Sequence, residues 1–133
     1  MNERGFSTLS ILIVEDNLMV ALLVEQVVGK LGCEVAGNVT SGEEALRCYE
    51  HTDPNCLVTD LGLIGSLSGI DLVQVIREGK QFSVIFITGT PDFPHRKFSN
   101  ERGCTETIYC RSDGLVGSLK RINHFHRRKK YHR

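Results

Sequence analysis

The sequence predicts an α/β domain built on a doubly wound, five-stranded parallel sheet. Short apolar runs alternate with stretches of helical periodicity along the 133 residues, and this alternation is typical of parallel strand–helix–strand units. The apolar runs are continuous, as in "ILIV" and "SVIFIT", which indicates strands that are buried on both faces of the sheet. Right-handed crossovers then place helices on both faces.

The first strand–helix–strand unit occupies the N-terminal third of the chain. "ILIV" at 11–14 is the first strand, and apolar residues at helical spacing over 18–31 predict a helix. Gly32 follows as a helix stop. "CEVAGNV" at 33–39 has a weaker apolar pattern, so we expect it to be an edge strand.

A second helix and the third strand follow. Ser41 lies three residues before Glu44, which is the spacing of a capping box, so a helix is predicted to run to about residue 50. "CLVT" at 56–59 has the apolar character of a buried strand, and Asp60 comes directly after it.

The second half of the chain contains the two remaining strands. A glycine-rich loop leads to a predicted helix over 70–78, and "SVIFIT" at 83–88 is the most apolar strand. The stretch 91–103 has two prolines and a poor apolar pattern, so its helix is the weakest prediction. "ETIYC" at 106–110 is the fifth strand. The last helix is marked by three apolar residues at helical spacing, namely Leu115, Leu119 and Ile122.

Charge is distributed unevenly along the chain. Residues 1–119 carry nine basic and sixteen acidic residues, a formal −7, while the seven basic residues from Lys120 onward give +7. We therefore expect a domain at 9–123 and a basic C-terminal tail at 124–133. The tail has two interpretations: cations that favour the dipole of the last helix, or an arm for an acidic partner, nucleic acid or the domain's own acidic crevice. The first is the expectation, and nucleic acid is not an expected partner.

Composition excludes several classes of protein. No apolar run approaches the roughly 20 residues of a membrane helix, and the N-terminus lacks the layout of a secretion signal. The five cysteines are odd in number and include no C-x-x-C pair, which favours reduced, packed thiols. We therefore expect a cytoplasmic protein with no membrane partner.

Polar side chains gather where the strands end. Glu15 and Asp16 follow the first strand, Asp60 the third and Thr88 the fourth. In a flavodoxin-like sheet of strand order 2-1-3-4-5, the first and third strands are neighbours, and the functional crevice lies beyond their carboxyl ends. Two carboxylates about 4 Å apart repel by about 4 kcal/mol at an effective dielectric near 20. Three acids in one crevice therefore indicate a site for a divalent cation.

Four motifs in this order resemble the receiver domain of two-component response regulators. "ILIVEDN" resembles the first strand with its acidic pair, and "CLVTDLGL" resembles the strand that presents the phosphoacceptor aspartate. "SGIDLVQVIR" is similar to the glycine-led third helix, and "VIFITGT" to the strand that carries the site hydroxyl. The resemblance covers roughly residues 9–123.

The resemblance implies a phosphorylation site that requires Mg²⁺. Glu15, Asp16 and Asp60 would hold the ion together with the backbone carbonyl of Gly62, since Mg²⁺ prefers oxygen ligands in octahedral geometry. Asp60 would accept the phosphoryl group. Two further residues would bind its oxygens, namely Thr88 through its hydroxyl and Gly89 through its backbone N–H.

The sequence departs from the family where the fifth strand ends. The family has a lysine followed by a cis proline there, and this chain has Cys110 followed by Arg111. We expect a trans peptide between them, because a cis bond without proline costs about 2.5–4 kcal/mol. Arg111 is adjacent and could turn into the site, but strand alternation is expected to direct it to the opposite face. Cys110 is expected to be packed and unreactive, since acidic surroundings raise a thiol pKa.

The switch residue of the family is also altered. The family has an aromatic residue three positions before the lysine, and that position is Thr107 here. Tyr109 lies two residues further along the strand, hence on the same face, and is an alternative switch residue with a shifted geometry.

The leading functional hypothesis is a stand-alone, non-enzymatic receiver. It would take a phosphoryl group from a histidine kinase or phosphotransfer protein and then change its contacts with a downstream protein. The alternative is a degenerate receiver that binds a partner without phosphorylation. A phosphatase of the haloacid-dehalogenase type would need an acid two residues after the nucleophile, where this chain has Gly62, so that class is disfavoured. Nucleotide binding is also disfavoured, because no nucleotide-binding glycine motif follows the first strand.

Overall fold

The computed structural model describes residues 9–60, 82–88 and 104–131. Within them the predicted sheet is confirmed: five strands, all parallel, in the order β2-β1-β3-β4-β5. The strands are β1 (Ser10–Val14), β2 (Glu34–Val39), β3 (Cys56–Asp60), β4 (Phe82–Ile87) and β5 (Cys104–Cys110). The helices in these ranges are α1 (Leu18–Lys30), α2 (Gly42–His51) and α3 (Leu115–Tyr131), with a 3₁₀ turn at Ser112–Gly114. The helix predicted at 70–78 and the weak helical stretch in 91–103 lie outside the described residues.

Both faces of the sheet are covered, as the continuous apolar runs predict. Ile11 and Ile13 of β1 belong to one buried cluster, which includes residues of α1 and α3 such as Val28 and Leu119. The residue between them, Leu12, belongs to a second cluster that includes residues of α2. Alternate residues of one strand therefore enter two separate cores, which is the packing of a doubly wound sheet.

The end of α1 is fixed by a glycine, as predicted. Gly32 has φ of 85°, a left-handed conformation that favours glycine. Its N–H donates to the carbonyl oxygen of Gly29 at 3.0 Å, and the N–H of Cys33 donates to that of Val28 at 3.1 Å. This pair of bonds is a Schellman motif. It turns the chain from α1 directly into β2.

The start of α2 follows the predicted capping box only in part. The hydroxyl of Ser41 accepts a hydrogen bond from the N–H of Glu44 at 3.1 Å. The return bond of a capping box goes to the N–H of the cap residue, but here the Glu44 carboxylate accepts from the N–H and the hydroxyl of Thr40, both at 2.9 Å. These bonds lower the pKa of Glu44.

Helix α3 extends well beyond the three apolar residues that predicted it. It continues to Tyr131, so the basic stretch that follows Asn123 is helical as far as that residue. The hydroxyl of Ser83 in β4 lies 2.8 Å from Nε2 of His126, which attaches this part of the helix to the sheet. The division into a domain at 9–123 and a basic tail at 124–133 stays a prediction. Within the described residues, no helix is both long and apolar enough to cross a membrane.

The edge strand β2 contains a close approach to α2. The pairing of β1 with β2 shifts between Ile11 and Leu12, so Gly37 lies opposite Leu12. A Cβ atom at Gly37 would collide with Sγ of Cys48 in α2 and would lie 3.3 Å from Cδ1 of Leu12. The absence of a side chain at Gly37 therefore lets α2 pack against the edge of the sheet.

We expect Gly37→Ala to lower the free energy of unfolding by about 1–3 kcal/mol, since overpacking forces neighbours to shift. Chemical denaturation measures this value. The matched control is Gly29→Ala in α1, where a Cβ would meet nothing within 4 Å, and it should be neutral or stabilising by up to about 1 kcal/mol. Adding Cys48→Ala to Gly37→Ala should recover part of the loss. A Gly37→Ala protein as stable as the wild type would contradict the close approach of α2 to β2.

Candidate functional site

A cleft of about 500 Å³ opens at the carboxyl edge of the sheet. It is formed by the residues that follow β1, the ends of β3 and β4, and the turn after β5. Its described lining residues are Glu15, Asp16, Asn17, Val20, Asp60, Ile87, Thr88, Arg111 and Ser112. The crevice predicted from the strand ends is therefore a cavity of the fold.

Three acids converge in this cleft. Val14 pairs with Thr59 across β1 and β3, so the next residues, Glu15 after β1 and Asp60 at the end of β3, lie side by side. The N–H of Glu15 donates to the carbonyl oxygen of Val39 at 2.9 Å, which holds the end of β1 against β2. One carboxylate oxygen from each of Glu15, Asp16 and Asp60 lies within 4.8 Å of the other two, and this group could hold a metal ion.

Glu15 is the most buried of the three acids, at 6% exposure. Burial is the main cause that raises its pKa from 4.5 to about 7, and the charges of Asp60 and Asp16 raise it further. A hydrogen bond from the N–H of Asn17 to Oε2 of Glu15, at 3.0 Å, opposes the shift. In the absence of a cation, Glu15 therefore holds its proton up to near neutral pH.

Asn17 is a site residue that the sequence analysis missed. Its Oδ1 caps α1 by accepting from the N–H of Met19 at 3.0 Å and of Val20 at 3.2 Å. The same residue donates its own N–H to Glu15. An Asn directly before a helical run is a known N-cap signal, and that signal would have identified the residue that fixes the acidic loop to the start of α1.

Thr88 lies in the cleft beyond the end of β4. The N–H of Thr88 donates to the carbonyl oxygen of Cys110 at 2.9 Å, so the ends of β4 and β5 are held together beside the acids. Thr88 is half-buried. Gly62 and Gly89, for which backbone roles were expected, lie outside the described residues.

Cys110 does not line the cleft. It is 9% exposed and belongs to the buried cluster with Leu115 and Leu119. Burial raises the pKa of its thiol, a hydrogen bond with Ser118 lowers it, and the charge of Asp113 raises it. The thiol is therefore a neutral core group at physiological pH, without the positive charge that a lysine would supply.

Arg111 does line the cleft, so the expectation that it lies on the opposite face was wrong. Strand alternation stops at Cys110, where β5 ends, and Arg111 is the extended residue that precedes the 3₁₀ turn. The expected trans peptide is confirmed, because the described residues include no cis bond. Thr107 and Tyr109 pair with Val84 and Phe86 along β5, and their role in a switch stays a prediction.

Comparison with known proteins agrees with this geometry. The family described as the response regulator receiver domain matches residues 11–109. The chemotaxis protein CheY of Thermotoga maritima is 32% identical over 66 residues, which cover 50% of this chain and 54% of CheY. The phyllosphere-induced regulator PhyR of Methylorubrum extorquens is 33% identical over 93 residues, or 69% of this chain and 34% of PhyR.

Solved structures give the same result. The response regulator PhyR from Brucella abortus superposes with a TM-score of 0.70 at 31% identity, over 97% of this chain and 53% of that protein. The response regulatory domain of mrkE from Klebsiella pneumoniae also gives 0.70, over 98% of its length, and at 19% identity it shows the fold alone. The chain belongs to the response regulator receiver domain family. It spans about half, or less, of the CheY and PhyR proteins that it matches.

The first prediction from this site concerns pH in metal-free buffer. Because the fold raises the pKa of Glu15 to about 7, stability from its bound proton is complete below about pH 4.5 and is lost as pH rises through about 7. The loss is up to about 3 kcal/mol, since one pKa unit corresponds to about 1.4 kcal/mol. Urea unfolding with EDTA at several pH values measures it. Glu15→Gln is the control and should flatten the profile; identical profiles for the two proteins would contradict the assignment to Glu15.

The second prediction concerns repulsion among the acids. Asp60→Asn removes one of three carboxylates that lie within 4.8 Å of one another. We expect a gain of about 1–3 kcal/mol in the free energy of unfolding with EDTA at pH 8, because like charges at this distance repel by several kcal/mol. Glu50→Gln, at an exposed position of α2, is the control and should change stability by less than about 0.5 kcal/mol. A destabilised Asp60→Asn protein would show that the carboxylates do not repel one another.

Proposed function

We propose that this domain is a phospho-accepting receiver in which Asp60 takes a phosphoryl group with the help of Mg²⁺. The observation that carries the proposal is the convergence of Glu15, Asp16 and Asp60 within 4.8 Å, in a cleft that Thr88 also lines. Membership of the receiver family supports it.

The donor set fits Mg²⁺. All three side chains offer carboxylate oxygens, which are the ligands that this ion prefers, and ligands at about 2.1 Å in an octahedron lie about 3–4 Å apart. Carboxylates within 4.8 Å of one another need only small side-chain movements to meet that spacing. Glu15, Asp16 and Asp60 would hold the ion, with the Gly62 carbonyl as the expected fourth protein ligand. When bound, Mg²⁺ would offset the negative charge of the acids and of the phosphoryl oxygens.

The proposed chemistry is a single displacement at phosphorus. A carboxylate oxygen of Asp60 attacks, an O–P bond forms, and the bond from phosphorus to the leaving group of the donor breaks. With acetyl phosphate the electron pair leaves on acetate and no proton is needed. With phosphohistidine, the leaving nitrogen takes up one proton. The Thr88 hydroxyl and the Gly89 N–H would donate hydrogen bonds to the phosphoryl oxygens.

The partners follow from this chemistry. The donor would be a histidine kinase or a phosphotransfer protein, and the output a changed contact with a downstream protein. One solved relative, from Bartonella quintana, is described as the anti-anti-sigma factor PhyR and is 29% identical to this chain. The chain covers 50% of that protein, and its description as an anti-anti-sigma factor supports a protein as the downstream partner of this domain.

One observation favours a second candidate, a receiver that binds its partner without phosphorylation. Cys110 occupies the lysine position of the family, and its thiol is buried in the core with a raised pKa. The acids are nevertheless all present. We therefore rank phosphorylation first, and the experiment below distinguishes the two.

Incubation with acetyl phosphate and Mg²⁺ should add one phosphoryl group to the wild-type protein and none to Asp60→Asn. Intact-mass spectrometry measures the adduct, and EDTA should prevent it. Asp53→Asn is the matched control and should be modified like the wild type. If the wild type gained no adduct and did not bind Mg²⁺ in calorimetric titration, phosphorylation would be excluded and the binding module would be the better description.

A further inference from the structure

The cleft has an excess of negative charge that Cys110 does not offset. Among its described lining residues there are three acids and one base, and the base is Arg111. A phosphoryl group brings additional negative charge to Asp60, so a fixed cation nearby would favour both its arrival and its retention. The neutral thiol of Cys110, which packs into the core cluster, contributes no charge.

The backbone of Arg111 is held beside the phosphoryl-binding residues. The carbonyl oxygen of Cys110 accepts from the N–H of Thr88 at 2.9 Å, and the carbonyl oxygen of Arg111 itself accepts from the N–H of Gly114 at 2.8 Å. Arg111 has φ of −83° and ψ of 167°, an extended conformation that costs no strain. The residue is therefore anchored from both sides, next to Thr88.

The side chain of Arg111, in contrast, is exposed. Among the described residues no ion pair or side-chain hydrogen bond engages its guanidinium group. A long side chain on an anchored backbone, at the rim of an acidic cleft, is able to reach an anion that occupies the cleft. Its planar group presents several N–H donors and stays charged at all physiological pH values.

We propose that Arg111 supplies the positive charge at the phosphorylation site, in place of a lysine at position 110. This inference rests on the proposed function and adds a residue to it. During transfer the Asp60–phosphorus bond forms while the bond to the leaving group breaks, and the three non-bridging oxygens carry the negative charge. Arg111 donates hydrogen bonds to two of these oxygens, the paired geometry in which guanidinium groups bind phosphate.

The test compares rates of phosphorylation by acetyl phosphate in Mg²⁺, followed by intact mass. Arg111→Ala should be slower than the wild type by about 10–100-fold, since removal of one fixed donor to a transition-state oxyanion costs about 10²–10³-fold in a buried site and Arg111 is exposed. Arg111→Lys, which keeps the charge, should lose less than Arg111→Gln, which keeps hydrogen bonding without charge. The matched control is Arg47→Ala, an exposed arginine on α2 that does not line the cleft, and it should react like the wild type.

Mg²⁺ affinity separates an electrostatic role from a structural one. Removal of a cation beside three acids should leave Mg²⁺ binding unchanged or strengthen it, whereas a disturbed cleft should weaken it. Calorimetric titration of the wild type and Arg111→Ala measures this. Beryllofluoride, a phosphoryl analogue, should bind Arg111→Ala about tenfold or more weakly than the wild type, because the loss of a hydrogen bond to a charged group lowers affinity by about this factor.

The outcomes distinguish the two proposals. A wild-type adduct that Arg111→Ala forms at an equal rate would overturn the role of Arg111 and leave the receiver function intact. Slower reaction together with weaker Mg²⁺ binding would also overturn it, since the residue would then act through the shape of the cleft. No adduct in the wild type, together with no Mg²⁺ binding, would reject the proposed function and this inference with it.

Discussion

The register between β1 and β3 is the constraint on which the site depends. Because Val14 lies opposite Thr59, Glu15 directly after β1 and Asp60 at the end of β3 lie side by side, and Asp16 follows. A slip of one residue would exchange the side chains that enter the two cores and disturb the packing of both. The two core clusters that use alternate residues of β1 therefore enforce the proximity of the acids. Hydrophobic burial on both faces stabilises an arrangement that electrostatics alone would oppose.

The acids could be predicted from sequence for the same reason. Parallel strands end at one edge of a sheet, so three strand-end acids identify a common crevice without any knowledge of side-chain conformation. Arg111 and Cys110 could not be assigned in this way. Their positions depend on where β5 stops and the 3₁₀ turn begins, and alternation along a strand gives no guide once the strand has ended. A register shift between β4 and β5 adds a residue that no apolar pattern reveals.

Most of the fold could likewise be predicted from the sequence, and the details that were missed have related physical causes. The strands followed from the apolar runs, the end of α1 from Gly32 and the start of α2 from Ser41. The buried face of α1 did not, because the helix carries apolar residues on nearly every side: Val24 is buried while Leu18 is 70% and Met19 is 79% exposed. A helix with more apolar residues than one face can bury gives no unique orientation. The contact of Gly37 with Cys48 was equally hidden, since it depends on a shift in the pairing of β1 with β2.

The loss of the family lysine is a change of packing as well as of charge. Cys110 lies in the core cluster with Leu115 and Leu119, and its Cβ is only 3.3 Å from where a Cβ on Gly114 would lie. A lysine at this position would need room for a longer side chain beside the turn that leads into α3, whereas the cysteine side chain fits into the core cluster. Position 110 is therefore committed to the core in this chain. The next residue, Arg111, lies at the first position beyond the strand and lines the cleft, so a charge is present at 111 while Cys110 packs into the core.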